Sequence, residues 1–282
     1  RSCWMRSRER GRSDMALKDI TLGQYFPGHT ILHRMDPRTK ILLTTLYIVA
    51  LFLCKQVVSY ALVIAVLAGA VAISHVGLKS IVRGMRPVLI IVILTAVLNL
   101  FYTPGQELWR WGFLRITVEG IWAAVFMVLR ITLLITCTFL LTYTTSPILL
   151  TDGLEKLLSP LKHLRFPVHE LAMMMSIALR FIPTLIEETD KIMSAQRARG
   201  ADFDSGNLIQ KAQALVPLLV PLFISAFRRA DELAVAMECR CYHGGEGRTR
   251  MRQLHFQRAD CAALVLGVAL VAAVSVLRHF GL

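Results

Sequence analysis

Two tripeptides in the second half of the chain hold the residues best suited to recognising a partner. Ala198-Arg199-Gly200 and Cys239-Arg240-Cys241 each set an arginine between small residues. Small flanks let a segment seat closely in a groove, and a guanidinium reaches carboxylates through two parallel hydrogen bonds. The plainer reading is an arginine at a helix C-terminus, complementing the helix dipole. Spacing alone does not separate the two. A repeat draws attention to both: Asp190-Lys191-Ile192, Ala195 and Arg199 align with Asp231-Glu232-Leu233, Ala236 and Arg240 at a constant offset of 41 residues.

Other chemistries find less support. No Gly-x-x-x-x-Gly-Lys-Ser/Thr occurs, Gly-Lys is absent as a dipeptide, and Gly244-Gly245-Glu246-Gly247 lacks the lysine. Without a phosphate-cradling loop the chain is expected not to hydrolyse ATP alone. Cys239-x-Cys241-x-His243 has metal-ligand residue types but no second ligand pair at a suitable spacing, so it reads as reduced thiols at a helix end, and no metal site is expected. The six cysteines, Cys3, Cys54, Cys137, Cys239, Cys241 and Cys261, do not suggest a disulfide framework. The membrane runs are read as containing no acidic residue. That argues against a metal-dependent prenyltransferase and against a carrier that moves protons on a buried carboxylate. Arg130 alone puts a charge deep in an apolar run. It reads as a structural group inside a bundle, with an interfacial, snorkelling arginine as the rival.

These residues need elements to hold them. The chain has 282 residues, 55% hydrophobic and 18% charged, with a mean hydropathy of +0.55. That excludes disorder and argues against an ordinary soluble globule. Apolar runs occupy 41–54, 57–76, 88–102, 118–143 and 259–280. Asp36 can cap the first helix, and Pro37 suits its first position. Trp109 and Trp111, in the loop after Pro104-Gly105, suit an interfacial aromatic anchor. The expected fold is all-α: a polytopic membrane helix bundle of about five spanning helices, four within 41–143 and the last within 259–282. Residues 1–14 form a basic segment, either a non-native remnant or a disordered tail at the membrane surface. Residues 15–40 form an N-terminal cytoplasmic segment.

Net charge is +13. With the N-terminus inside, 27 Lys/Arg fall on cytoplasmic segments and 4 outside. The positive-inside rule thus accounts for the basic excess without nucleic acid. It predicts 144–258 as a cytoplasmic domain and an outside C-terminus. In that insertion, Ser146-Pro147 starts a short helix ending near Pro160. A long helix follows from 168 to about 199 with Pro183 inside, and another from about 207 to 241 with Pro217 and Pro221 inside. Their apolar stretches, 171–179 and 215–227, fall short of the ~20 residues a spanning helix needs. Neither is therefore expected to span. Their stops are expected at Gly200 and at Gly244-Gly245. Ala61, Ala65 and Gly69, and later Ala263 and Gly267, permit close helix approach, expected to be used within this chain.

The stretch Ile20-Thr21-Leu22-Gly23-Gln24-Tyr25-Phe26-Pro27-Gly28, followed by Leu32-His33-Arg34-Met35-Asp36-Pro37-Arg38-Thr39-Lys40, resembles the N-terminus of the transmembrane T component of energy-coupling factor (ECF) transporters. Leu179-Arg180-Phe181-Ile182-Pro183, Gln196-Arg197-Ala198-Arg199-Gly200-Ala201 and Arg228-Arg229-Ala230-Asp231-Glu232-Leu233 resemble that family too, in the same order. The resemblance implies a non-catalytic subunit of an ABC-class vitamin or micronutrient importer. It implies two cytoplasmic ABC ATPase subunits as partners, ATP and magnesium bound on those subunits, and a membrane S component that binds the substrate. It makes Ala198-Arg199-Gly200 and Cys239-Arg240-Cys241 the ATPase-docking motifs of two coupling helices, and Pro183, Pro217 and Pro221 candidate hinges. Cys241 departs from the family's glycine and on this reading gives up the glycine turn. A self-contained membrane enzyme or carrier, and a membrane-anchored scaffold, are the competing classes.

Overall fold

The computed structural model describes residues 28, 30–54, 56–104, 106–111, 114–160, 166–201, 203, 207–244 and 254–280. The basic segment 1–14 and most of the motif beginning at Ile20 lie outside them. In chain order the elements are α1 (Ile31–Arg34), α2 (Pro37–Leu53), α3 (Val57–Ser74), α4 (Leu78–Tyr102), β1 (Glu107–Trp111), β2 (Leu114–Thr117), α5 (Val118–Thr144), α6 (Pro147–Leu158), α7 (Val168–Ala198), α8 (Leu208–Glu238) and α9 (Arg258–Phe280). They divide into two compact units. One lies within Gly23–Lys156 and Gln253–Leu282, the other within Leu157–Arg252.

The first unit is a helix bundle. Asp36 accepts a hydrogen bond from the Arg38 N–H at 2.9 Å and Pro37 opens α2, so the cap read from the sequence forms. The core is built from Tyr47, Ala50 and Leu51 of α2, Tyr60, Val63 and Leu67 of α3, Leu133, Cys137 and Leu140 of α5, and Leu270 and Val274 of α9. Gly267 lets α9 approach α2 closely: a Cβ there would lie 2.8 Å from Leu43 Cδ2. At Gly69 a Cβ would meet nothing within 4 Å. The small residues of α3 therefore border an open apolar groove of ≈ 490 Å³, with Ala65, Gly69, Ala263 and Gly267 in its lining. The close approach expected within the chain holds for Gly267 and not for Gly69.

Arg130 lies inside this bundle. Its Nε donates to the Tyr60 hydroxyl at 3.1 Å and its Nη2 to the Cys54 carbonyl at 3.2 Å. Its guanidinium sits 5.8 Å from the Phe52 ring centroid. The charge thus ties α5 to the end of α2 and the first turn of α3, as the structural reading anticipates.

Two local expectations change. The helix holding the run 88–102 starts earlier, at Leu78, and α4 runs unbroken through Pro87. Ile81 is buried, and Gly84 is pressed against the Phe139 ring, where a Cβ would be 2.8 Å away. That packing holds the early turns helical despite the lost proline N–H. The loop after Pro104 contains a two-stranded antiparallel hairpin with Trp109 opposite Ile116 and Trp111 opposite Leu114. The tryptophan side chains lie outside what is described. At the hairpin's base, Thr117 accepts from the Gly120 N–H to cap α5, and its hydroxyl donates to the Thr103 carbonyl at the end of α4.

Five helices are long and apolar enough to cross a membrane: Val57–Ser74, Ser80–Tyr102, Val118–Thr144, Val168–Ala198 and Arg258–Phe280. The chain is a multi-pass membrane protein. Four of these match the expected spans. The fifth is α7, which had been read as too short in its apolar part. The fifth expected span, on α2, has 17 residues, one fewer than α3, the shortest of these five.

Candidate functional site

The second unit is built on α7 and α8, laid antiparallel. Three contacts set the register. The Tyr242 hydroxyl donates to Met173 Sδ at 3.2 Å. Arg229 Nη2 donates to Glu188 Oε2 at 2.9 Å. Gln196 Nε2 donates to the Pro217 carbonyl at 3.3 Å. The Ser225 hydroxyl also donates to Glu188 Oε1, and the Arg229 guanidinium lies 5.7 Å from the Phe181 ring centroid. Glu188 is thus held by two donors and Arg229 by a carboxylate and an aromatic face, in a half-buried setting. From the sequence alone Glu188 has no assigned partner. An antiparallel partner in register was the information it lacked.

Glu188 and Arg229 are 41 residues apart, the same offset as the repeat. The ion pair therefore joins equivalent positions of two matched helices and marks the centre of a pseudo-two-fold arrangement. Arg199 and Arg240 each lie 11 residues beyond it. At 1.5 Å per residue that is ~16 Å of helix in opposite directions, which puts the two arginines at opposite ends of the pair, on the order of 30 Å apart.

Both ends close in the same way. At α7, Ala198 is the last helical residue and Arg199 the C-cap. The Gly200 N–H bonds to the Arg197 carbonyl and the Ala201 N–H to the Gln196 carbonyl, each at 3.0 Å. At α8, the Cys241 N–H bonds to the Glu238 carbonyl at 2.8 Å and the Tyr242 N–H to the Met237 carbonyl at 3.1 Å. This pairing is the Schellman turn, which needs a left-handed residue just after the cap. Gly200 supplies it with φ +91° and Cys241 with φ +53°. Two expectations are corrected here. Cys241 does not give up the glycine turn; it adopts the left-handed conformation despite its Cβ. And α8 ends at Glu238 with its turn closed at Cys241, not at Gly244-Gly245, because the two turn hydrogen bonds already form there. Ala198, Arg199, Gly200, Cys239, Arg240 and Cys241 are all exposed.

The candidate hinges lie inside continuous helices, Pro183 in α7 and Pro217 and Pro221 in α8. All three fall on the N-terminal side of the Glu188–Arg229 pair within their own helix. On α8 the apolar face that includes Val216, Val220, Phe223 and Phe227 is exposed. Among the described residues, no group of three or more His, Cys, Asp or Glu could hold a metal ion, so Cys239, Cys241 and His243 do not form one. Sequence reading missed a second polar cluster, in the first unit, where Asp36 and Lys40 meet Asp260. Its signal was Asp260 at the second position of the last apolar run, which corrects the reading of those runs as free of acids; Glu119 stands likewise in the first turn of α5.

A family model described as a cobalt transport protein, CbiQ, matches residues 28–251. The chain is 56% identical over 264 residues to the energy-coupling factor transporter transmembrane protein EcfT of Thermosediminibacter oceani, covering 94% of this chain and 99% of that protein. It is 55% identical over 255 residues to EcfT of Ruminiclostridium cellulolyticum, covering 90% and 95%. For EcfT of Bacillus subtilis the identity is 48% over 263 residues, covering 93% and 99%. A matched pair of helix ends on a multi-pass membrane protein, carried by a chain similar to these along almost its whole length, leads to one conclusion: the chain belongs to the EcfT family of energy-coupling factor transporter transmembrane proteins.

Proposed function

We propose that this chain is the energy-coupling subunit of an ECF-type importer. It links two cytoplasmic ABC ATPases to a substrate-binding S component in the membrane and carries no nucleotide or metal itself. The single observation that carries the reading is the pair of identical arginine-capped turns at opposite ends of the α7–α8 pair. Two equivalent anchors suit two similar partners. Arg199 and Arg240 dock, one on each ATPase, with the small flanking residues allowing close seating. ATP binding closes the ATPase pair and shifts the seated ends, α7 and α8 flex at Pro183, Pro217 and Pro221, and the movement reaches the S component to release a vitamin or micronutrient inside. The exposed apolar face of α8 suits contact with that component or with lipid.

The domain from 144 to 258 and the N-terminus are assigned to the cytoplasm, with the C-terminus outside, from the Lys/Arg asymmetry. On this reading α2, α3, α4, α5 and α9 cross the membrane, and α7 does not. Burying the apolar half of α7 in lipid would carry its antiparallel partner with it. That part of α8 holds Asp231, Glu232, Glu238 and Arg240, which are costly in hydrocarbon. Co-purification tests the function. The chain, expressed with the ATPases of its own genome, should retain two ATPase subunits per chain in detergent. A chain that turns over a substrate alone and retains no ATPase would overturn it.

A further inference from the structure

We propose that residues 36–40 form a positioning hub within the bundle unit, tying the end of α5 and α6, which lead out of that unit, to the start of α9, which returns to it, with Asp36, Lys40 and Asp260 as the residues through which helix movement enters the bundle. This rests on the transporter reading above. The chain leaves the bundle unit after Lys156 and returns to it at Gln253. Both strands meet the same short segment. On the outgoing side, the Lys40 ammonium donates to the Thr144 carbonyl at 2.9 Å, to Thr145 Oγ1 at 3.2 Å and to the His33 carbonyl at 3.4 Å. Thr144 ends α5 and Thr145 is its C-cap. One turn before the exit, Gly153 of α6 lies against the same segment: a Cβ there would be 2.9 Å from Pro37 Cβ and 3.4 Å from the Arg38 nitrogen. On the returning side, Asp260 accepts from the Asp36 N–H at 3.0 Å through Oδ1 and from the Gln257 N–H at 2.8 Å through Oδ2. The last carboxylate of the chain thus fastens the start of α9 to the start of α2.

The cluster lies out of solvent. Asp260 and Thr39 are 0% exposed, Asp36 4% and Lys40 6%. Apolar packing would stabilise such a junction as well or better, so buried charges here argue for fixing one arrangement. The network is also incompletely satisfied. Asp36 Oδ2 and Thr39 Oγ1 are buried with no hydrogen-bond partner among the described residues. Within the bundle unit, one segment thus grips both the helices that lead out of it and the helix that returns to it, so movement along either connection reaches the same residues.

The test uses the whole complex: chain, ATPase pair and a riboflavin-binding S component in phosphatidylcholine–phosphatidylglycerol vesicles, with tritiated riboflavin as the probe. Asp260→Asn and Lys40→Met are compared with the parent for ATPase content, ATP hydrolysis and uptake. The expected result is unchanged ATPase content, hydrolysis within twofold of the parent, and uptake reduced at least fivefold in each. Asp260→Glu, which keeps both acceptors, should recover part of the uptake. Hydrolysis and uptake falling together, both staying unchanged, or both variants failing to assemble would overturn the hub, the last by assigning the cluster to folding alone. A parent complex without ATP-dependent uptake would overturn the transporter reading itself, and the hub with it.

Discussion

Gly200 and Cys241 occupy the same position in two copies of one turn, so substitutions there should act with opposite signs. Gly200 has φ +91° and open space around it: a Cβ would meet nothing within 4 Å. Gly200→Ala therefore causes no clash, and its cost is conformational. An L-residue held left-handed costs ~1–2 kcal/mol, which at ~1.4 kcal/mol per tenfold is a factor of about 5–30. If the docked form needs the closed turn, that cost appears in ATPase affinity. At Cys241, with φ +53°, the chain already bears a cost of this kind. Cys241→Gly removes it, so affinity should hold or rise, by up to about fivefold for ~1 kcal/mol. The assay is titration of the purified chain in nanodiscs against an immobilised ATPase pair. Gly200→Ala binding within twofold of the parent, or Cys241→Gly binding more weakly, would refute the claim that the Schellman turn is the docked shape.

Other outcomes follow from the same geometry. Glu188→Gln leaves Arg229 without its charged acceptor, a loss of ~1.5–3 kcal/mol for a charge-assisted bond. Disulfide cross-linking between Met173→Cys and Tyr242→Cys should fall in that background, and an unchanged yield would show that the ion pair does not hold the helices. Gly267→Val overfills the contact with Leu43 and should destabilise the bundle by ~1–3 kcal/mol, read as a lower Tm in detergent. Gly69→Ala, with open space around it, should leave Tm unchanged, and a matching drop in both would contradict the packing described. A cysteine at Gly247 in a cysteine-free background should resist an impermeant thiol reagent added to intact cells. Labelling there would reverse the assigned orientation.

Much of the bundle was legible in the sequence because apolar runs of span length are a one-dimensional signal. The α2 cap was equally local: Asp36-Pro37 needs no tertiary partner to be read. The 41-residue repeat located both arginines, since each turn is built from residues within one stretch. Features that depend on long-range partners were not legible. Glu188 had no legible partner until α8 supplied Ser225 and Arg229. Asp260 was overlooked in a run read as free of acids, and its role shows only once Asp36, 224 residues away, supplies its N–H. Cys241 was misread because propensity disfavours a non-glycine residue at positive φ, whereas the turn's two backbone hydrogen bonds hold it there. The helical early turns of α4 were hidden by Pro87, and contact of Gly84 with Phe139 stabilises them.

The central claim is that Arg199 and Arg240 are the two anchors through which ATPase motion reaches the membrane. The most direct measurement is ATPase retention and ATP-driven uptake by the Arg199→Ala, Arg240→Ala double variant, with Arg250→Ala as the control for charge. Truncating one side of a docked charge pair typically costs ~2–5 kcal/mol. Each single variant should therefore lose affinity by well over tenfold, and the double variant should lose both ATPases and all uptake while inserting normally. Full uptake by the double variant, or an equal loss in Arg250→Ala, would contradict the account.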